Sequence, residues 1–172
     1  MCFVYCYYKS QNEQTAVNLI SSLLRPLAIE SKSKQITTAL QEFYKGFEQK
    51  KSHPLLTEYS SLLLALLAKL RRVFIIVDAL DECSSDARSE FLAELKKLPS
   101  SVSLMFTARP IPDILDSFLD TPRIEVRASD DDVSTYLTKE IQRSSLLARL
   151  VKDDSCLAGE IVEKVLESSK GM

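Results

Sequence analysis

The run Val73-Phe74-Ile75-Ile76-Val77-Asp78-Ala79-Leu80-Asp81-Glu82 places three carboxylates directly after five consecutive apolar residues. Short, uninterrupted and rich in β-branched side chains, the apolar run suits a parallel strand buried on both faces. Ligands of open α/β sheets collect at the carboxyl ends of the strands, so Asp78 would project into a binding crevice. A carboxylate there can hold Mg²⁺, usually through water, because that ion prefers hard oxygen ligands and keeps part of its hydration shell. The same acids could instead cap the next helix or lie solvated in a turn. The added Asp81-Glu82 pair weighs toward the site.

A second run, Ser103-Leu104-Met105-Phe106-Thr107-Ala108-Arg109-Pro110, ends an apolar strand in a hydroxyl, a small residue and an arginine. The guanidinium fork of Arg109 can offer paired donors to a terminal phosphate. Thr107 and Arg109 are therefore candidate nucleotide contacts. An arginine after a strand is more often half of a surface ion pair, but its place downstream of the Asp78 run reverses that reading.

Positioning these residues takes strands held by helices. Cys2 to Tyr8 and Arg123 to Val126 read as further strands, so strands are expected near 2–8, 73–77, 102–107 and 123–126. Ser10-Gln11-Asn12-Glu13 has capping-box spacing, and Val17, Ile20, Leu24 and Leu27 share one face, which predicts a helix over 10–29. Ile36, Leu40, Phe43 or Tyr44, and Phe47 mark a second helix, and a third runs from Pro54 to Leu70. Further on come a helix over 86–97 with Phe91, Leu92 and Leu95 inward, and a short one after Pro110. Ser129 with Asp132 can cap a helix carrying Val133, Tyr136, Leu137 and Ile141, and a last helix holds Ile161, Val162, Val165 and Leu166. The alternation is βαβ in style.

Composition excludes several classes of function. With 172 residues, 45% hydrophobic and 27% charged, the chain reads as one globular domain with material for a sizeable core. A net charge of −2 and no long basic run leave nucleic-acid binding without electrostatic support. Four cysteines without a CxxC pair, and the single histidine His53, do not make a structural zinc site. Cys2 and Cys6 read as small buried hydrophobes on one side of a strand, and a reducing, cytoplasmic setting fits them. The N-terminus lacks the regions of a secretion signal, and the apolar stretch Leu62 to Ala68 is too short to span a bilayer. His53 before Pro54 reads as a loop residue, Asp130-Asp131-Asp132 as a solvated helix start, and Tyr5, Tyr7 and Tyr8 as strand packing.

The pairing of VFIIVDALDEC with SLMFTARPIPDI, preceded by YCYYKSQNEQTAVNLISSLLRPL and followed by RIEVRASDDDVSTYL and a closing SSKGM, carries a resemblance. It resembles the NACHT-type NTPase domain of fungal STAND proteins, similar to the N-terminal region of nephrocystin-3-like proteins, which often precedes ankyrin or other repeats. The resemblance implies a P-loop α/β fold that binds ATP or ADP with Mg²⁺ and acts as a slow signalling switch. It makes Asp78 the Walker B acid, Asp81 and Glu82 the catalytic acids near the hydrolytic water, and Arg109 the sensor 1 arginine. Ala108 stands where the family more often has serine, which matters little if the arginine does the sensing.

The departure is the Walker A loop. GxxxxGK followed by Ser or Thr needs two glycines five apart, and Gly46, Gly159 and Gly171 offer no such frame. Set beside the family, residues 1–172 are expected to be a partial domain that enters after the first strand and phosphate loop and stops before the helical and winged-helix segments. The expected fold is a P-loop NTPase-like parallel sheet with helices on both faces, lacking strand 1, with Asp78 and Arg109 at one sheet edge. A gap beside 102–107, or its pairing with 123–126, would mark the absent strand. The expected function is a partial nucleotide-binding switch domain that binds neither ATP, ADP nor Mg²⁺ by itself. The alternatives are a non-enzymatic interaction module, pairing with proteins that include full-length relatives, and a metal-dependent phosphate-transfer site in another α/β fold.

Overall fold

The computed structural model describes residues 1–30, 33–154 and 156–169. They fall into two compact units, 1–119 and 120–172. In the first, β1 (Cys2–Tyr5), β2 (Val73–Asp78) and β3 (Val102–Phe106) form a parallel sheet in the order β1-β2-β3. The register pairs Cys2 with Ile75 and Ile75 with Leu104. Five helices accompany the sheet: α1 (Ala16–Glu30), α2 (Lys34–Lys50), α3 (Leu56–Leu67), α4 (Ser85–Leu95) and α5 (Pro112–Ser117). The crossover helices follow from the parallel pairing, which cannot be joined by a tight hairpin.

Alternation along the strands decides where the core lies. Cys2, Val4, Val73, Ile75 and Val77 are buried, and they share one cluster with Ile20, Leu23 and Leu24 of α1, Leu63, Leu66 and Leu67 of α3, and Phe91 and Leu95 of α4. α1 packs on β1, α3 and α4, which makes it the centre of this layer. Each fully buried Leu or Ile contributes roughly 2 kcal/mol. The opposite row, Phe3, Tyr5, Phe74 and Met105, is exposed at 64%, 61%, 45% and 57%. Within this unit the helices therefore cover one face, not both, and the 73–77 run is buried on one side only. An all-apolar run is compatible with either outcome, because covering the second face takes another layer that the run itself does not encode.

Three boundaries also differ from the sequence reading. β1 ends at Tyr5, and Tyr8–Ser10 is a 3-10 turn. α1 begins at Ala16 rather than near residue 10, because Gln14 folds back on Tyr7: the Tyr7 N–H donates to Gln14 Oε1 at 3.0 Å, and Gln14 Nε2 donates to the Tyr7 carbonyl. Ser10 ends that turn by accepting the Glu13 N–H at 2.9 Å, while Thr15 Oγ1 accepts the Asn18 N–H at 3.3 Å and caps the true helix start. Residues 123–126 form no strand, and Ile124 and Val126 are each 89% exposed. So short a segment stays extended only where a neighbouring edge takes its backbone hydrogen bonds, and among the described residues none does. The outer edge of β3 is likewise unpaired among the described residues.

The second unit contains α6 (Asp130–Arg143), α7 (Ser145–Asp153) and α8 (Leu157–Ser169), packed on one another. Ser129 Oγ accepts the Asp132 N–H at 3.1 Å, the cap its spacing predicts. α7 was not foreseen; it starts where Ser144 Oγ accepts the Leu147 N–H at 3.4 Å. Among the described residues no helix is long and apolar enough to cross a membrane.

Candidate functional site

Because β2 and β3 are parallel neighbours with Val77 opposite Phe106, both chains leave the sheet at the same edge. The ladder continues past the strands: the Thr107 N–H donates to the Val77 carbonyl and the Leu80 N–H to the Thr107 carbonyl, each at 2.9 Å. Between them Ala79 takes the left-handed conformation, φ 55° and ψ 45°, and turns the chain into the 3-10 segment Leu80–Glu82. That reversal brings Asp78, Asp81 and Glu82 to the edge already occupied by Thr107 and Arg109.

Every acid of the group has a protein partner. Thr107 Oγ1 donates to Asp78 Oδ1 and accepts the Ala79 N–H at 2.9 Å, so one hydroxyl orients the carboxylate and satisfies the strained turn. Asp81 receives two donors from Arg109, the backbone N–H at 3.0 Å and Nε at 2.5 Å. The Asp81 side chain is 6% exposed and that of Arg109 75%. Burial pushes the Asp81 carboxyl up, but the Arg109 bonds outweigh it and hold it below the ordinary carboxylate value. The bond from Asp81, with its charge, raises the Arg109 guanidinium in turn. Glu82 serves as an anchor: its Oε2 accepts the Tyr8 N–H at 2.9 Å, and its carbonyl accepts Gln11 Nε2 at 2.8 Å. The Cys6 N–H closes the group from the other side by donating to the Asp78 carbonyl at 3.0 Å.

The five residues singled out from the sequence thus lie at one sheet edge, engaged with one another and with the segment after β1. Among the described residues no three His, Cys, Asp or Glu side chains converge as metal ligands. Asp78 could therefore offer Mg²⁺ one carboxylate, through water, with the remaining ligands supplied by water and phosphate. Two hollows of about 520 Å³ lie elsewhere, one between α6 and α8 and one between α2 and α3.

Sequence reasoning missed two features of this edge. The thiols of Cys6 and Cys83 meet, Sγ to Sγ at 3.0 Å, although the sequence marks Cys6 only as a small buried hydrophobe and gives Cys83 no role. Arg88 is buried in α4 and reaches the Cys83 carbonyl at 3.4 Å and Asp113 Oδ2 at 3.5 Å. Neither pairing has a local signal, since Cys6 and Cys83 are separated by 77 positions and Arg88 and Asp113 by 25.

Residues 1–109 match the family model described as nephrocystin 3, N-terminal. No curated protein and no solved structure matches the chain.

Proposed function

The chain belongs to the nephrocystin 3 N-terminal family, and from that premise we propose that it is the acidic and sensor half of a NACHT-type STAND nucleotide switch. The observation that supports this reading best is the convergence of Asp78, Asp81, Glu82, Thr107 and Arg109 at the carboxyl edge of adjacent parallel strands. Ligands of α/β sheets bind at that edge. In this reading Thr107 orients Asp78, the Walker B acid, and Asp81 holds Arg109 until a terminal phosphate competes for the guanidinium. Glu82 ties the acidic turn to the segment after β1. Mg²⁺, when bound, would neutralise phosphate charge beside Asp78.

Alone, the chain neither binds nor hydrolyses ATP. Phosphate affinity in P-loop proteins comes from the backbone N–H groups of the loop and its lysine, and no GxxxxGK sequence occurs here. Asp81 and Arg109 neutralise each other, and the two remaining carboxylates, Asp78 and Glu82, repel a polyphosphate. Calorimetric titration with Mg-ATP is expected to show no binding in the micromolar range. Fusion to an upstream segment bearing GxxxxGK and Ser or Thr should create binding and Mg²⁺-dependent hydrolysis that Asp78→Asn reduces. Tight binding by the unfused chain, or a fusion indifferent to Asp78→Asn, overturns the proposal.

A second reading, a non-enzymatic interaction module that pairs with full-length relatives, is favoured by the exposed row Phe3, Tyr5, Phe74 and Met105. It would stand if the fusion stays silent toward Mg-ATP while the chain co-purifies with such a relative and Phe74→Lys breaks the complex.

A further inference from the structure

Cys6 follows β1 directly, and Cys83 ends the acidic turn after β2. Their sulfurs lie 3.0 Å apart, and the residues are 0% and 3% exposed. The backbone around them is already joined, through the Cys6 N–H on the Asp78 carbonyl and the Tyr8 N–H on Glu82 Oε2. A covalent bond between the sulfurs would therefore ask for a small approach of two side chains and no rearrangement of the chain.

We propose that Cys6 and Cys83 form a reversible disulfide that fastens the end of β1 to the acidic turn, with a small peroxide as the oxidant. The Cys83 thiolate attacks one peroxide oxygen; an S–O bond forms, the O–O bond breaks, and the departing hydroxide takes a proton to become water. Cys6 then attacks the Cys83 sulfenic sulfur; the S–S bond forms, the S–O bond breaks, and the second hydroxide leaves as water with the Cys6 proton. Two thiols are oxidised and one peroxide is reduced to two waters. Cys83 is the attacking member, because its hydrogen bond with Cys6 lowers its pKa and the nearby Arg88 cation adds to this, both against the effect of burial. Burial of both sulfurs selects for an oxidant of peroxide size over a bulky disulfide such as oxidised glutathione. Asp81 and Glu82 immediately precede Cys83, so oxidation restrains the turn that carries them. Excess dithiol reverses it.

The test uses the full chain carrying Cys2→Ser and Cys156→Ser, beside the unaltered chain. Both are treated with hydrogen peroxide, blocked with N-ethylmaleimide and digested with trypsin without reduction. A peptide pair joining residues 1–9 to 73–88, two hydrogens lighter than the separate thiols, is expected in both proteins and should disappear with dithiothreitol. The oxidised chain should also melt at a higher temperature than the reduced chain. Full maleimide labelling of Cys6 and Cys83 after peroxide, or links confined to Cys156 between chains, overturns the proposal. So does a cross-linked chain that melts no higher than the reduced one.

Discussion

Thr107 serves two groups with one hydroxyl, donating to Asp78 and accepting from the Ala79 N–H. Thr107→Val keeps the shape but leaves that N–H, and one lone pair of Asp78, without a partner in a half-buried place. A loss of about 1–3 kcal/mol is expected by urea denaturation, with Thr107→Ser near the unaltered chain. The Asp81–Arg109 pair gives a pH signature. The folded-state pKa of Asp81 lies below its unfolded value, so the pair's contribution is fully present above the unfolded value and fades as pH falls through the folded one. Arg109→Met should therefore flatten the fall in stability on the acid side of about pH 4 without altering the slope between pH 6 and 8, as read by denaturation midpoints across pH. Legibility was uneven at this scale: residue types and spacing singled out the five residues that meet at this sheet edge, but not that Asp81 and Arg109 hold each other.

Among the elements, the turn from β2 into Leu80–Glu82 depends on one backbone conformation. Ala79 sits at φ 55°, where a side chain costs roughly 1 kcal/mol and glycine is at ease. Ala79→Gly is expected to leave stability unchanged or raise it by up to about 1 kcal/mol, the relief being partly offset by a freer unfolded chain. The same replacement at Ala65, exposed in the last turn of α3, should lower it by about 0.5–1 kcal/mol. Guanidinium titrations of the two variants side by side check the contrast, and a loss at Ala79 as large as that at Ala65 would contradict it. No propensity marks Ala79 for this conformation. It is imposed by Thr107, which binds both the Ala79 and Leu80 N–H groups.

At the scale of the molecule, the core cluster runs from Cys2 to Ile114 and so lies wholly in the first unit. In the second, Ile141 is the one fully buried hydrophobic among the described residues, while Tyr136, Leu146 and Leu150 are exposed. Residues 1–119 expressed alone should unfold in one cooperative transition. Residues 120–172 alone should show helical circular dichroism but melt broadly, since helices need a packed face to be stable. A sharp transition in the short piece, or none in the long one, would contradict this division.

Local pattern by itself determined the strands at Val73 and Val102, the aspartate at the end of the first, the arginine beyond the second, and the helices α2, α3, α4, α6 and α8. Each is written in a few neighbouring residues, through apolar period, caps and turn chemistry. The same reasoning extended β1 too far, began α1 too early and made a strand of 123–126, because a strand's ends and existence depend on which edge receives its hydrogen bonds. Only the tertiary structure decided that one face of the sheet stays open at Phe3, Tyr5, Phe74 and Met105, that Arg109 rests on Asp81, and that Cys6 meets Cys83. Those outcomes join residues far apart in the chain, and a residue's own sequence neighbourhood carries its conformational preference but not the identity of its distant partner.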